Sequence, residues 1–209
     1  MNDVSPARFE RHVKVALAQG RRFVPADEIA RTGGRPGDLA ITFDDGLASV
    51  AVHAAPVLSY YDIPWSLFVV SNWADGIHDF ADGLLLGWRD IERMARQGAV
   101  IGSHSLSHAD FGRIPPEAMR HELGESRRVI ESRLGITATS FAIPFGQSRN
   151  WSRLAGATAQ DAGYEIVYAQ SVERRTPGAT PRTFITCFDG ARNFRSALMG
   201  AYDRWEEWL

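Results

Sequence analysis

The chain has 209 residues, of which 44% are hydrophobic and 11% aromatic, so it can bury a substantial core as one domain. Its 23 Lys and Arg against 25 Asp and Glu give a net charge of -2, which offers no electrostatic reason to expect nucleic acid or an anionic membrane as partner. The single cysteine, Cys187, excludes an internal disulfide and a cysteine-rich zinc site.

The N-terminal residues are polar and lack the apolar core of a signal peptide, and no run of about 18 apolar residues occurs in the chain. We therefore predict a cytoplasmic protein without a membrane span, folded as a single domain over residues 1–209. Residues 1–9 resemble the interior of a domain, so we expect a preceding segment, including an N-terminal strand, to be missing. His12 lies in an amphipathic stretch and is predicted to be a helix-face residue.

Short apolar runs alternate with amphipathic stretches along the chain, a pattern typical of β/α units around a largely parallel sheet. The predicted strands cover residues 39–43, 65–70, 99–102, 139–143, 164–168 and 182–185. Between and after them the predicted helices cover residues 47–60, 88–97, 115–134 and 151–161, with a last helix from about residue 191. The Gly/Pro-rich stretches 31–37 and 176–181 are predicted loops.

The first motif, Thr42-Phe43-Asp44-Asp45-Gly46, places two carboxylates side by side where the first apolar strand ends. Adjacent side chains at a strand end point in different directions. One carboxylate can therefore bind a metal while the other takes a proton from water. Taken alone, such a triplet more often makes a turn.

The second motif, His104-Ser105-Leu106-Ser107-His108, follows another predicted strand. Histidines four residues apart share one face if the segment coils as a helical turn. Two histidines and one carboxylate can hold a zinc-like ion and leave positions open for water and substrate. Alone, the pair could equally be a solvated helix face, but both motifs end strands of one β/α series, where such folds place their chemistry. The combination predicts a metal-dependent hydrolase.

The chain resembles the polysaccharide deacetylase family, carbohydrate esterase family four, through these two motifs and through Phe141-Ala142-Ile143-Pro144-Phe145-Gly146, which is similar to the family's third motif. The resemblance extends over residues 5–186. It implies an α/β fold, a distorted, incomplete (β/α) barrel.

Residue by residue, the resemblance implies that Asp45, His104 and His108 bind a divalent metal, usually Zn2+, with Co2+ or Ni2+ as alternatives. Asp44 would be the general base. The backbone N–H of Phe145 would stabilise the oxyanion formed from the acetamide carbonyl.

Two departures from the family pattern stand out. The third motif commonly begins with an arginine, and here Ala142 takes that place, as in the branch acting on poly-N-acetylglucosamine exopolysaccharides. Arg182 is a candidate substitute, or else a surface arginine. The family's general acid is a histidine on a late strand or, in that branch, on a strand upstream of the first motif. No histidine follows His121, the chain is expected to start too late for the upstream strand, and His78 is the only remaining candidate acid.

Several further residues have two possible interpretations. Asn72, Trp73 and Pro144 could border a sugar groove, or pack in the core or at its rim. Glu117, Glu122, Glu125 and Glu131, with their arginine neighbours, are predicted to form a solvated helix face. Trp151, Trp205 and Trp208 are predicted to be structural, the last two on an amphipathic terminal helix.

The sequence thus predicts removal of N-acetyl groups from the amino sugars of a polysaccharide, oligosaccharide or glycan precursor. Two alternatives stay open: a deacylase of another amide or of an O-acetyl ester, and a catalytically weak metal- and glycan-binding module that lacks the acid histidine. A serine hydrolase is excluded, because no Gly-x-Ser-x-Gly motif is present.

Overall fold

A computed structural model describes residues 4–170 and 179–202. In chain order its elements are α1 (Pro6–Ala18), β1 (Arg22–Phe23), α2 (Ala26–Thr32), β2 (Asp38–Leu39), β3 (Ile41–Phe43), a π-helical turn (Val50–Ala54), α3 (Ala55–Tyr60), β4 (Trp65–Val69), α4 (Ser71–Ala74), α5 (Trp88–Arg96), β5 (Val100–Ser103), α6 (Pro116–Leu134), β6 (Ser140–Ala142), a 3-10 turn (Ser148–Asn150), α7 (Arg153–Asp161), β7 (Ile166–Ala169), β8 (Ala179–Pro181) and α8 (Ala191–Leu198).

The main sheet has six parallel strands in the order β3-β4-β5-β6-β7-β8, and β1 pairs with β2 in a separate two-stranded parallel sheet. Sequential order means that each strand lies beside its predecessor, so the sheet curls into a half-barrel with helices around it. This confirms the predicted incomplete (β/α) barrel. All strand C-terminal ends consequently lie at one edge, where the two motifs begin.

Three groups of buried side chains hold the layers together. Leu58, Leu67 and Ile91 belong to the core between the first strands and their helices. Phe141 and Leu123 belong to the core beneath α6 and α7. A third group fills the inside of the curled sheet and comprises Ala26, Phe68, Ala142, Ile166 and Tyr168. Phe68 and Tyr168 make a tilted ring contact at 5.2 Å between centroids, so the interior of the half-barrel is packed.

The long helix α6 follows Pro115 and ends at Gly135, whose φ of 65° lies in the left-handed region that favours glycine. Met119, Leu123 and Ile130 are buried, as their helical spacing predicts. Trp151 is buried against Phe111 and Phe141, in agreement with a structural role. Trp205 and Trp208 lie outside the described residues.

A two-residue strand, β1, lies upstream of the first motif, pairs with β2 and carries no histidine, so the expected missing strand with a histidine stays a prediction. One prediction about strands is wrong. The predicted strand at 182–185 is instead Ala179–Pro181, within a stretch predicted as loop, and Arg182 is the first residue beyond it. Its apolar signal is weak because its residues are only partly buried at the sheet edge.

Within the described part of the chain, no helix is both long and apolar enough to cross a membrane.

Candidate active site

The two carboxylates of the first motif point to different partners. Asp44 follows β3 directly and accepts two hydrogen bonds from Arg182. Asp45 turns away at a φ of 70°, in a region that few residues other than glycine occupy. Its Oδ1 lies 3.5 Å from Nε2 of His104 and 3.5 Å from Nε2 of His108. The two carboxylates therefore face different groups, as expected of adjacent side chains at a strand end.

The second motif is a loop and not the helical turn on which the sequence argument relied. It follows β5, and both Ser105 and His108 have positive φ, 73° and 64°. The His104 ring is buried and the His108 ring is half-buried, with 5.0 Å between their centroids. The two imidazoles converge because the loop folds back on itself. In a helical turn they would instead lie side by side along one face.

Asp45, His104 and His108 form a donor set that fits a zinc-like ion. Their ligand atoms all lie within 4.8 Å of one another. Ligands at about 2.0–2.2 Å from a tetrahedral Zn2+ stand roughly 3.3–3.5 Å apart, which matches the carboxylate–imidazole distances. His104 Nδ1 is 2.8 Å from the carbonyl oxygen of Ala142. Donation from Nδ1–H to that carbonyl leaves Nε2 with the lone pair that a metal requires.

The protonation of His108 is also suited to metal binding. Burial, followed by the neighbouring His104, lowers the pKa of His108 from 6.5 to about 3. Both causes disfavour the imidazolium form. The ring is consequently neutral at physiological pH, the form in which it can bind a metal.

Arg182 reaches Asp44 from the opposite edge of the sheet. Nη1 and Nη2 each donate to one Asp44 oxygen at 2.8 Å, and Nη1 also donates to Oγ1 of Thr42 at 3.0 Å. The guanidinium lies over the Phe68 and Tyr168 rings. Burial alone would raise the pKa of Asp44, but Arg182 and the two imidazoles outweigh it and the pKa is lowered. Asp44 is therefore ionised at neutral pH.

The third motif forms the wall opposite the two histidines. It supplies the Ala142 carbonyl to His104 and the exposed Phe145 ring, which contacts the His108 ring edge-on at 4.6 Å. Among the described residues, no acceptor binds the Phe145 backbone N–H, while Nε2 of Gln170 donates to the Phe145 carbonyl oxygen at 2.8 Å. Within that part of the chain, the Phe145 N–H is thus a free donor on a residue whose ring contacts His108.

Residues 32–167 match the family model described as Polysaccharide deacetylase, more than half of the 209-residue chain. The chain belongs to the polysaccharide deacetylase family. This confirms the resemblance carried by the three motifs.

Individual relatives are distant. The Bacillus subtilis (strain 168) protein YxkH is 23% identical over 168 residues, covering 78% of this chain and 57% of YxkH, so the chain spans little more than half of that curated relative. The Streptococcus pyogenes deacetylase PplD, solved in complex with acetate, has a TM-score of 0.80 at 18% identity, over 93% of this chain and 87% of PplD. IcaB from Ammonifex degensii has a TM-score of 0.75 at 22% identity, over 94% and 89%.

Backbone strain in this polysaccharide deacetylase chain is concentrated at the site. Among the described residues, five other than glycine have positive φ, and four of them belong to the three motifs: Asp45, Ser105, His108 and Phe145. Each such conformation costs on the order of 1–3 kcal/mol and persists only where the surrounding structure enforces it. Two of these four residues, Asp45 and His108, belong to the candidate donor set, Ser105 lies in the loop between the two histidines, and Phe145 lies in the third motif.

An aromatic rim extends from the His108 ring. Trp73 stacks on His108 at 5.1 Å between centroids and meets Phe80 edge-on at 5.0 Å. Trp73 and Asn72 are half-buried, whereas Pro144 is buried and presents little surface. The Asn72 backbone N–H donates to the Leu106 carbonyl at 2.9 Å. The structure thus brings Trp73 to His108 of the candidate metal-binding triad (Asp45, His104 and His108), while the Asn72 backbone supports the histidine loop, residues 104–108.

No other histidine shares the centre with His104 and His108 in the described part of the chain, which contains all six. His12 is a helix residue, as predicted, but it is buried and stacks on Phe194. His78 contacts Phe80, and its Nδ1 accepts a hydrogen bond from the Phe80 N–H. His78 consequently lies at the outer end of the aromatic rim, and the structure assigns no general acid.

One acidic residue lies in a different environment from the solvated face predicted for it. Glu122 is 8% exposed, not part of a solvated face, and its carboxylate accepts three hydrogen bonds from the histidine loop. The local signal for Glu122 is weak: helical spacing places it with Leu123 and Ser126 on the buried stripe of α6, but it does not reveal the loop that the carboxylate contacts.

Proposed function

We propose that this chain is a metal-dependent carbohydrate deacetylase that hydrolyses the N-acetyl group of amino sugars in a glycan. The observation that carries the proposal is the convergence of Asp45, His104 and His108 beside an Asp44 carboxylate that Arg182 keeps ionised. Family membership supports the carbohydrate substrate, and the donor set supports the metal. Because the chain matches only part of the length of YxkH, we state the activity as a proposal.

Asp45, His104 and His108 would hold the metal, and Zn2+ suits one carboxylate oxygen with two imidazole nitrogens. When bound, such an ion lowers the pKa of water and polarises the acetamide carbonyl.

Asp44 would accept the proton of the attacking water. Asp44 is next to the proposed ligand Asp45 in sequence, but its carboxylate pairs with Arg182 and is not part of the donor set. It is therefore available as the base. Arg182 fixes both of its oxygens, which orients the carboxylate and keeps it deprotonated. The Phe145 backbone N–H would donate to the oxyanion that develops on the carbonyl oxygen. The exposed faces of Phe145 and Trp73 would contact the sugar.

A second candidate function is a metal- and glycan-binding module with little turnover. It is favoured by one observation: His12, His53, His78 and His121, the four histidines outside the metal-binding triad, offer no ring contact to it among the described residues. Such a module would bind zinc and saccharide without releasing acetate.

The test is acetate release from N-acetylglucosamine oligomers by the zinc-loaded chain, with Asp44→Asn as the variant. Loss of a general base is expected to lower kcat by about 10²–10⁴-fold, while zinc still binds. Asp62→Asn, the same exchange in the turn after α3, serves as the control and should keep full activity. Zinc binding without release by the unmodified chain would favour the binding module. Release only from acetylated xylan or a non-sugar amide would point to the other deacylase alternative.

A further inference from the structure

We propose that Glu122 is a positioning residue for the metal centre: its buried carboxylate holds the loop 104–108 in the conformation in which both histidines face Asp45. Glu122 lies on α6, which contributes no metal ligand itself. The inference rests on the proposed metal-binding function of Asp45, His104 and His108, and it assigns a role to a residue outside all three motifs.

The contacts of Glu122 are directed at the centre of the loop. Oε2 accepts the backbone N–H of Leu106 at 3.0 Å and that of Ser107 at 2.9 Å, and Oε1 accepts the Ser107 hydroxyl at 2.6 Å. All three donors are uncharged loop groups between the two histidines. A buried carboxylate is tolerated only when it is hydrogen-bonded, so the loop and Glu122 satisfy each other.

The backbone amides of the loop can be accounted for completely. His104 N–H donates to the Val69 carbonyl, Ser105 N–H to Oγ of Ser103, and His108 N–H to Oγ of Ser105. The remaining two amides, those of Leu106 and Ser107, depend on Glu122. Leu106 is half-buried and Ser107 is exposed, so water could accept from these amides after removal of the carboxylate. Water would not fix their positions, and the middle of the loop would lose the acceptor that holds its conformation.

A second side chain of α6 supports the same loop from one turn further along. The Ser126 hydroxyl is 2.9 Å from the Ser103 hydroxyl, which in turn accepts the Ser105 N–H at 3.1 Å. Positions 122 and 126 are four apart and share one helix face. The positive φ of Ser105 and His108 shows that the loop would not keep this shape by itself. Helix α6 therefore enforces the loop through two adjacent anchor points.

The experiment is a Co2+ titration of the metal-free chain, followed by the visible absorption bands of the bound ion. Glu122→Ala is expected to weaken Co2+ binding by about 10–100-fold, the range typical of residues that orient metal ligands, and to change the absorption spectrum. Glu125→Ala is the matched control, because Glu125 lies on the same helix but bonds to Arg128. Its affinity and spectrum should equal those of the unmodified chain.

Glu122→Gln tests the geometry more finely. A glutamine keeps one oxygen for the two backbone amides, and its NH2 group can donate to the Ser107 hydroxyl. It should therefore restore most of the Co2+ affinity and the spectrum lost in Glu122→Ala. If Glu122 acted through its negative charge alone, the neutral glutamine would not restore them. Ser107→Ala removes one of the three bonds and should weaken Co2+ binding less than Glu122→Ala does.

The possible outcomes separate this inference from the proposed function. If the unmodified chain binds no Co2+, the metal centre itself is wrong. If it binds Co2+ and folded Glu122→Ala binds equally well with the same spectrum, only the role of Glu122 is overturned. Should Glu122→Ala fail to fold, Ser107→Ala decides: an unchanged affinity and spectrum would overturn the inference.

Discussion

At the scale of single residues, Asp44 is paired with an arginine, Arg182, that lies outside the three motifs. Ala142 is buried inside the curled sheet together with Phe68 and Tyr168. The Arg182 guanidinium lies over those two aromatic rings and reaches Asp44 from the far edge of the sheet. A cation supplied after β8 can thus serve a carboxylate that follows β3.

We predict that Arg182→Met shifts the acidic limb of the pH–activity profile to higher pH. In the unmodified chain, burial raises the pKa of Asp44, and Arg182, assisted by the imidazoles, more than offsets this effect. Without the guanidinium the effect of burial is no longer offset, so the carboxylate takes up a proton at a higher pH. An adjacent opposite charge changes a carboxyl pKa by about 1–3, so the limb of kcat/KM should move by about one pH unit or more.

The control for this prediction is Arg31→Met. Arg31 pairs with Glu165 at 2.7 Å on the surface, with about half of its side chain exposed. Its removal should leave the acidic limb in place. An unchanged limb in Arg182→Met, measured by acetate release across the pH range, would show that Arg182 does not control the ionisation of Asp44.

The site residues differ in how well the sequence predicts them. Asp44, Asp45, His104 and His108 can be predicted because motif spacing and strand ends are local features. Glu122 cannot, since its burial depends on a loop 15 and 16 residues earlier in the chain. Even the convergence of the histidines was predicted with the wrong local geometry, because sequence spacing does not reveal a positive φ at Ser105 and His108.

At the scale of elements, the close approach of β4, β5 and β6 sets the position of the end of β5, which His104 follows directly. Gly102 lies in β5 directly before Ser103. A Cβ atom at Gly102 would overlap the Phe68 ring and lie 2.9 Å from the Ser140 carbonyl oxygen. Phe68 is fully buried and Ser140 belongs to β6, so neither can move freely. The missing side chain allows β5 to pass between its neighbours.

Gly102→Ala is therefore expected to lower the free energy of unfolding by about 1–3 kcal/mol, as overpacking of a core does. Urea denaturation measures this change. Gly124→Ala provides a paired test with the opposite sign: it lies inside α6 with open space around its Cα. Alanine in a helix interior is more stable than glycine by about 0.5–1 kcal/mol. Equal stability of the two variants would contradict the packing argument for β5.

The predictability of the elements follows their apolar content. The strands at 41–43, 65–69 and 100–103 are apolar runs beside clear helices, and the sequence places them within one or two residues. The two-residue β1 and the four-residue α4 are too short to produce a periodic pattern. Strand β8, Ala-Thr-Pro, has no alternation of apolar residues; it pairs with β7, and Ala179 packs against the core beneath α6 and α7. Such pairing is a tertiary effect that a local pattern cannot show.

At the scale of the whole molecule, the candidate site spans the opening of the half-barrel. Within the described residues, β3 and β8 are the two outer strands and are not paired with each other. Arg182, directly after β8, bonds to Thr42 in β3 and to Asp44 directly after it, so one side chain connects the two edges. The three candidate metal ligands lie in the segments that follow β3 and β5. Metal binding would therefore tie together strands that are separated by more than fifty residues of sequence.

This connection predicts that the metal stabilises the entire fold. A ligand present at 1,000 times its Kd raises the free energy of unfolding by about 4 kcal/mol. For a chain of roughly 150–250 residues, each kcal/mol raises Tm by about 2–4 °C. Thermal unfolding with zinc in that excess should therefore occur about 8–16 °C higher than in EDTA. His108→Ala should abolish the difference, because it removes one of the three ligands. His121→Ala, an exposed histidine on α6, should preserve it. A difference that persists in His108→Ala would show that zinc binds this chain somewhere other than the centre formed with Asp45 and His104.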